Sequence, residues 1–194
     1  PDFENEPNLS GKLGHLKDTH HLNIKYIGAL SRLEKKELPI NYKFMVILSG
    51  PEPQRTLLEE KLLYELKDYP EKILFIKGIL EDVQTKETAN NLTIYNYLTG
   101  KELEDAFNSS EYIIARSGYT TLMDIAKLNK KAFFIPTPGQ TEQVYLAERL
   151  KEKGLAPSCK QNHFSVEKLT EIHQYQGLAF DRGVFDWTNM FSLF

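Results

Sequence analysis

The chain has 194 residues, 41% of them hydrophobic and 26% charged, enough apolar material for a real core in one domain or one and a fraction. A net charge of −3 leaves no electrostatic footprint for nucleic acid, and the single cysteine, Cys159, excludes an internal disulfide and suits a reducing compartment. No apolar run approaches the roughly 20 residues of a membrane helix and no signal peptide opens the chain, so a cytoplasmic location is expected.

The chain starts without Met on a polar stretch, Pro1 to His15, that carries Asp2, Glu4 and Glu6 and little periodicity, and it reads as a cut end. His20 to Gly28 reads as a short strand or extended linker. The adjacent His20 and His21 have no Cys, Asp or further His at ligand spacing, so no metal is expected there. From Tyr42 strands and helices alternate. Phe44 to Leu48 is a buried strand that stops at Ser49-Gly50, and the following helix presents Leu57, Leu58, Leu62, Leu63 and Leu66 on one face. That Ser-Gly turn either brings backbone near a phosphate, with Arg55 supplying charge, or is a tight strand-to-helix turn with an exposed arginine; a G-x-G-x-x-G fingerprint is absent. Ile73 to Ile76 is the next strand. Glu81 to Asn91, charged and poor in core residues, is expected to be an exposed loop or a short helix. Leu92 to Leu98 reads as a strand and Glu102 to Ser109 as a helix.

The next stretch concentrates the chemistry. Tyr112 to Ala115 is an apolar run typical of a buried parallel strand, and it ends at Arg116-Ser117-Gly118, where a helix begins with Leu122, Ile125, Ala126 and Leu128 inward. The first amides of a helix lack internal partners and carry the positive end of its dipole, so a phosphate can sit there. Ser117, Gly118, Tyr119, Thr120 and Thr121 supply those amides and several hydroxyls. Six residues past Gly118 on the same helix, Asp124 can accept the hydroxyls of a ribose whose phosphates lie at the helix start. Asn129 suits a left-handed helix end, and Lys127, Lys130 and Lys131 suit the negative end of the dipole. Ala132 to Ile135 is another buried strand. It runs into a polar turn, Pro136 to Gln143, with Thr141 as the expected cap of the following helix, whose inner face is Val144, Leu146, Ala147 and Leu150 and which ends at Gly154. Ala156 to Cys159 reads as a short edge strand, and Ser165 as the cap of a helix through Leu169 and Ile172. Alternation of six or seven strands with helices predicts an α/β fold, a Rossmann-like, doubly wound and mainly parallel sheet, with polar turns gathered at one edge.

Ser117-Gly118, a carboxylate six residues on, a proline twelve residues after that, and an acidic residue followed by glutamine resemble the donor-binding half of GT-B fold glycosyltransferases. The pattern is similar to that of UDP-glycosyltransferases and closer to the bacterial transferases that add N-acetylglucosamine to the peptidoglycan lipid intermediate. The resemblance implies a nucleotide-sugar donor, UDP-sugar as substrate and neither a cofactor nor a metal. It implies that Ser117 to Thr121, with Ser49, Gly50 and Arg55, approach the diphosphate; that Asp124 takes the ribose; that the loop at Asn96, Tyr97 and Leu98 lies over the nucleobase; and that Gln140, Glu142 and Gln143 face the donor sugar. The family usually has Glu in place of Asp124 and Gly in place of Asn129. It also implies that residues 1–20 close an acceptor-binding domain, that 21–175 form the donor domain, and that 176–194, with Phe180, Phe185, Trp187, Phe191 and Phe194, pack back toward the other domain. The acceptor and its base then belong to that N-terminal acceptor domain, as does any peripheral association with a membrane, and 1–194 alone is expected to be inactive. The alternatives are a separate donor subunit of a two-chain transferase, a UDP-sugar epimerase of related fold, or a binding module with an inherited site.

Overall fold

The computed structural model describes residues 1–15, 17 and 21–178. Six strands make one sheet: β1 (Tyr42–Ile47), β2 (Ile73–Ile76), β3 (Lys86–Ala89), β4 (Leu92–Tyr95), β5 (Ser110–Ala115) and β6 (Lys131–Phe134), in the order β3-β4-β2-β1-β5-β6. All neighbours are parallel except β3 and β4. The central strands are built from Val, Ile, Leu, Met and Phe because both faces are covered, as parallel sheets require.

Four α-helices cover the two faces: α1 (Gln54–Leu66), α2 (Gly100–Asn108), α3 (Tyr119–Lys127) and α4 (Thr141–Glu152). On one face Leu103 and Phe107 of α2, Leu122 and Ile125 of α3, and Leu146 and Leu150 of α4 pack with Met45, Leu74 and Ile113. On the other, Leu58, Leu62 and Leu66 of α1 pack with Val46, Phe75 and Ile114 and with Leu169 and Ile172 of a 3-10 helix, Val166–Gln174. Ser165 stands at the start of that helix, as expected, but makes no capping bond with its side chain.

Three local expectations change. The charged stretch after Glu81 is a strand, not only a loop or helix: Lys86–Ala89 pairs antiparallel with β4, and Asn90, with φ of 53°, makes the turn between them. All four residues of β3 are exposed, so no apolar alternation marks it, and its pairing comes from backbone bonds to the outer rim of β4. The cap of α4 is Gln140, and Thr141 is already its first helical residue. The edge strand expected at Ala156 to Cys159 is a single parallel bridge, Phe134 to Ser158. Asn129 does hold the left-handed end of α3, with φ of 54°: the Lys130 amide donates to Ile125 O and the Asn129 amide to Ala126 O.

The N-terminal stretch packs on the domain. Leu9 is fully buried in the core that holds Leu122 and Leu146, and Asp2 accepts bonds from the amides of Phe3, Leu9 and Ser10. Arg149 of α4 donates to Asn8 Oδ1 and Glu6 Oε1, both at 2.8 Å. Residues 29–41 then run along α2 and α3, where the Lys36 amide donates to Asn108 Oδ1 and Asn108 Nδ2 donates to Glu34 O. Among the described residues no helix is long and apolar enough to cross a membrane. The aromatic tail lies outside the described residues beyond Leu178, and so does His20.

Candidate functional site

The sheet order places the site. Leaving β1, the chain goes through α1 to β2 and on toward β3 and β4, and it then crosses by α2 to β5 on the other side of β1. The crevice beyond the C-terminal ends of β1 and β5 is therefore a topological switch point, where open α/β sheets bind ligands. Ile47 pairs with Ala115 in register, so Ser49-Gly50 and Ser117-Gly118, each beginning two residues further on, meet over that crevice.

At the start of α3 the first internal bond runs from the Leu122 amide to Gly118 O, at 3.0 Å. The amides of Tyr119, Thr120 and Thr121 precede it and have no partner within the helix. Gly118 faces open space: a Cβ placed there meets nothing within 4 Å. This turn can receive an anion by backbone alone. The side chains around it have other duties. Ser117 is fully buried and its hydroxyl donates to Gln143 O at 2.8 Å, while the Tyr119 hydroxyl donates to Pro1 O at 2.5 Å. Burial, together with the Asp2 carboxylate, pushes the Tyr119 pKa up to about 12, so that hydroxyl stays a donor.

Asp124 is half-buried further along α3. Its Oδ1 accepts the Ser31 hydroxyl at 2.5 Å, and Ser31 Oγ in turn accepts the Leu33 amide at 3.0 Å. Burial raises the carboxyl pKa, opposed by the Ser31 bond and by Arg32.

The other sequence-predicted residues divide into open and engaged groups. Ser49 and Gly50 are exposed, and a Cβ on Gly50 stands 3.7 Å from Thr137 Oγ1, so the β1 turn passes beside the β6 turn. Arg55 is not free to meet a phosphate: its guanidinium donates to Glu52 at 2.6 Å, Glu59 at 2.5 Å and Lys77 O at 3.2 Å. Asn96 is engaged at both ends, with Nδ2 donating to Glu81 and Val83 O while Oδ1 accepts the amides of Thr85 and Tyr97. It braces the 79–85 loop instead of offering its amide to a base, and Tyr97 and Leu98 stay half-exposed beside it. β4 stands three strand spacings from β5, about 14 Å, so the Asn96 to Leu98 turn is remote from the turn at Ser117-Gly118.

Gln140 and Glu142 are exposed at the start of α4, but Gln143 is only 6% exposed. Its Oε1 accepts the Thr137 amide at 2.9 Å and its Nε2 donates to Gln140 Oε1 at 2.8 Å, so the glutamine shapes the turn from inside. Gln143→Ala is expected to lower stability by about 1–3 kcal/mol, the cost of leaving a buried amide unpaired. Urea unfolding measures it, and an unchanged midpoint would return Gln143 to the ligand side.

One residue had no assigned role. Arg116 ends the apolar run of β5 and is only 1% exposed. Its Nη1 donates to Ile135 O and Pro136 O, both at 3.1 Å, and its Nη2 donates to Gln54 O and Gln161 Oε1, both at 2.8 Å. It thereby joins the turns that follow β1, β5 and β6. The signal for it is a charge placed where an apolar strand would continue. Among the described residues no group of three or more His, Cys, Asp or Glu converges to hold a metal ion.

This fold and switch-point site define a class. Residues 51–174 match the glycosyltransferase family 28 C-terminal domain, and the chain belongs to that family. Among curated proteins, the UDP-N-acetylglucosamine--N-acetylmuramyl-(pentapeptide) pyrophosphoryl-undecaprenol N-acetylglucosamine transferase of Sulfurihydrogenibium sp. (strain YO3AOP1) is 31% identical over 136 residues, 68% of this chain and 37% of that protein. The enzyme of the same name from Bacillus subtilis (strain 168) is 26% identical over 125 residues, 60% of this chain and 33% of that one. The chain thus spans about a third of the length of these relatives, 37% and 33%. Among solved structures, the glycotransferase of kitacinnamycin superposes with a TM-score of 0.57 at 15% identity, covering 80% of this chain and 41% of that one. MurG of Acinetobacter baumannii gives a TM-score of 0.50 at 20% identity, covering 72% and 41%. These likenesses show the fold, an α/β doubly wound sheet shared with glycosyltransferases.

Proposed function

We propose that this chain is the donor-binding half of a glycosyltransferase, that its donor is a UDP-sugar, and that the acceptor is held by a further, N-terminal domain. The observation that carries the reading is the start of α3, where three amides have no partner within the helix and the cap residue Gly118 borders open space at the switch point, with Asp124 on the same helix. The names of the curated relatives, all UDP-N-acetylglucosamine transferases, support UDP-N-acetylglucosamine as the first donor to test. In this reading the amides of Tyr119 to Thr121 hold the diphosphate and offset the charge that develops as it leaves. Asp124 accepts ribose hydroxyls, the backbone near Tyr97 and Leu98 lies over the base, and the exposed Gln140 and Glu142 face the hexose. Binding of this kind orients the sugar carbon for attack, and the acceptor's base comes from the other domain. A cytoplasmic location, and any peripheral contact with a membrane through that domain, belong to the same proposal. Membership of a transferase family gives the epimerase alternative no support.

Calorimetry of residues 1–194 against UDP and a panel of other nucleotides tests it. UDP is expected to bind best and measurably at millimolar concentration, where a Kd of about 1 mM corresponds to roughly −4 kcal/mol. No heat from UDP at that concentration, or equal binding of every nucleotide, would remove the donor assignment.

A further inference from the structure

Among the described residues Arg116 is the largest of the fully buried side chains, and it is charged. Among the described residues its four bonds all go to neutral oxygens, and Nε has no partner. Among the described residues no carboxylate lies within 4 Å of it. Two acids that α1 and the turn before it bring to this edge are taken, Glu52 by Arg55 and Glu59 by Arg55 and Lys77. Carbonyl dipoles offset only part of the penalty of burying a cation, which is several kcal/mol for an ion without a partner. Burial alone pushes the Arg116 pKa down to about 10.

A clamp for three turns does not need a charge, because neutral donors such as asparagine or water bind carbonyls as well. A charge held there is useful only if an anion comes near. Arg116 precedes Gly118 by two residues, so their Cα atoms are at most about 7.6 Å apart. Nearby, Thr137 Oγ1 is a second buried polar atom without a partner among the described residues, on the turn that accepts bonds from Arg116 and passes beside Gly50.

We infer that Arg116 is a positioning residue of the donor site: its uncompensated charge favours the phosphates of a nucleotide at the start of α3, and its four bonds fix the surrounding turns to receive them. This deepens the nucleotide reading and rests on it. The charge acts from beneath the turns, without touching the ligand, in a buried setting where screening is weak. Phosphate binding returns the missing counter-charge to the protein.

The test compares UDP, UMP and uridine, titrated into residues 1–194 and three variants and followed by NMR. Wild type is expected to bind UDP more tightly than UMP, and UMP more tightly than uridine. Arg116→Gln should lower the UDP-to-uridine affinity ratio by about tenfold or more with uridine unchanged, and Arg116→Lys, which keeps the charge and loses the fork, should restore part of it. Gln161→Glu puts a carboxylate against Nη2 and keeps the arginine. It should raise the melting temperature of the free protein and lower the UDP-to-uridine ratio by a similar factor, and it decides the matter if Arg116→Gln does not fold. Arg116 is only a clamp if all three ligands weaken in step in Arg116→Gln, or if the UDP preference survives in Gln161→Glu. Those outcomes leave the nucleotide reading standing, whereas wild type that does not bind UDP overturns both.

Discussion

Leu9→Ala is expected to destabilise the protein by about 2–5 kcal/mol, the range for truncating a fully buried leucine. Leu9 is 0% exposed and packs in the core that contains Leu122, Leu146 and Leu150, so the mutant leaves a cavity between the N-terminal stretch and the helices at the site. Urea unfolding measures the loss. Should the midpoint stay where it is, residues 1–15 are a detachable appendage and their bonds to Tyr119 and Arg149 add nothing to the fold. The expected result gives the stretch a place in the domain's own core.

Asp124→Ala is expected to weaken UDP by about 1.5–3 kcal/mol, the value of hydrogen bonds to a charged group, which is roughly tenfold to more than a hundredfold in Kd. The contact with Ser31 makes a control necessary, since Asp124 also anchors the 29–41 stretch. Ser31→Ala removes that anchor and leaves the carboxylate in place. If Asp124 serves the ribose, only Asp124→Ala loses UDP affinity. If both variants lower the melting temperature equally and neither touches UDP affinity, Asp124 is a fastener for the linker and the ribose must be held elsewhere.

What could be read from the sequence, and what could not, follows from where the information sits. Four strands were legible because burial on both faces forces apolar runs, as at Phe44 to Ile47 and Ile113 to Ala115, and β4 from the alternation of buried Leu92 and Ile94 with half-buried Thr93 and Tyr95. β3 was illegible because Lys86, Glu87, Thr88 and Ala89 bury nothing and owe their conformation to the neighbouring backbone. The turn at Ser117-Gly118 was legible from local chemistry, a strand end, a glycine and a helix start. The fates of Asn96 and Asp124 were not, since each is decided by partners that loops bring in, such as Ser31, 93 positions away, for Asp124; Arg55 and Gln143 are instead taken by near neighbours, Glu52 and Glu59 for the one and Thr137 and Gln140 for the other. Arg116 escaped notice for a related reason: a charge in a turn looks solvated until the turns of β1 and β6 close over it. Gly78 shows the same closure, because a Cβ there would collide with the Leu48 carbonyl, and its φ of 71° suits glycine.

The two rims of the sheet have a consequence for solubility. On one side stands β3, short, exposed and bearing Lys86 and Glu87; on the other, Pro157 and Cys159 occupy backbone groups of Phe134. An unguarded rim is a template on which a second molecule's strand can extend the ladder. Here one rim meets a stranger with charge and brevity, and the other is partly taken by the chain itself. Self-association by strand addition is thereby discouraged, and the ends of the strands stay the open part of the sheet.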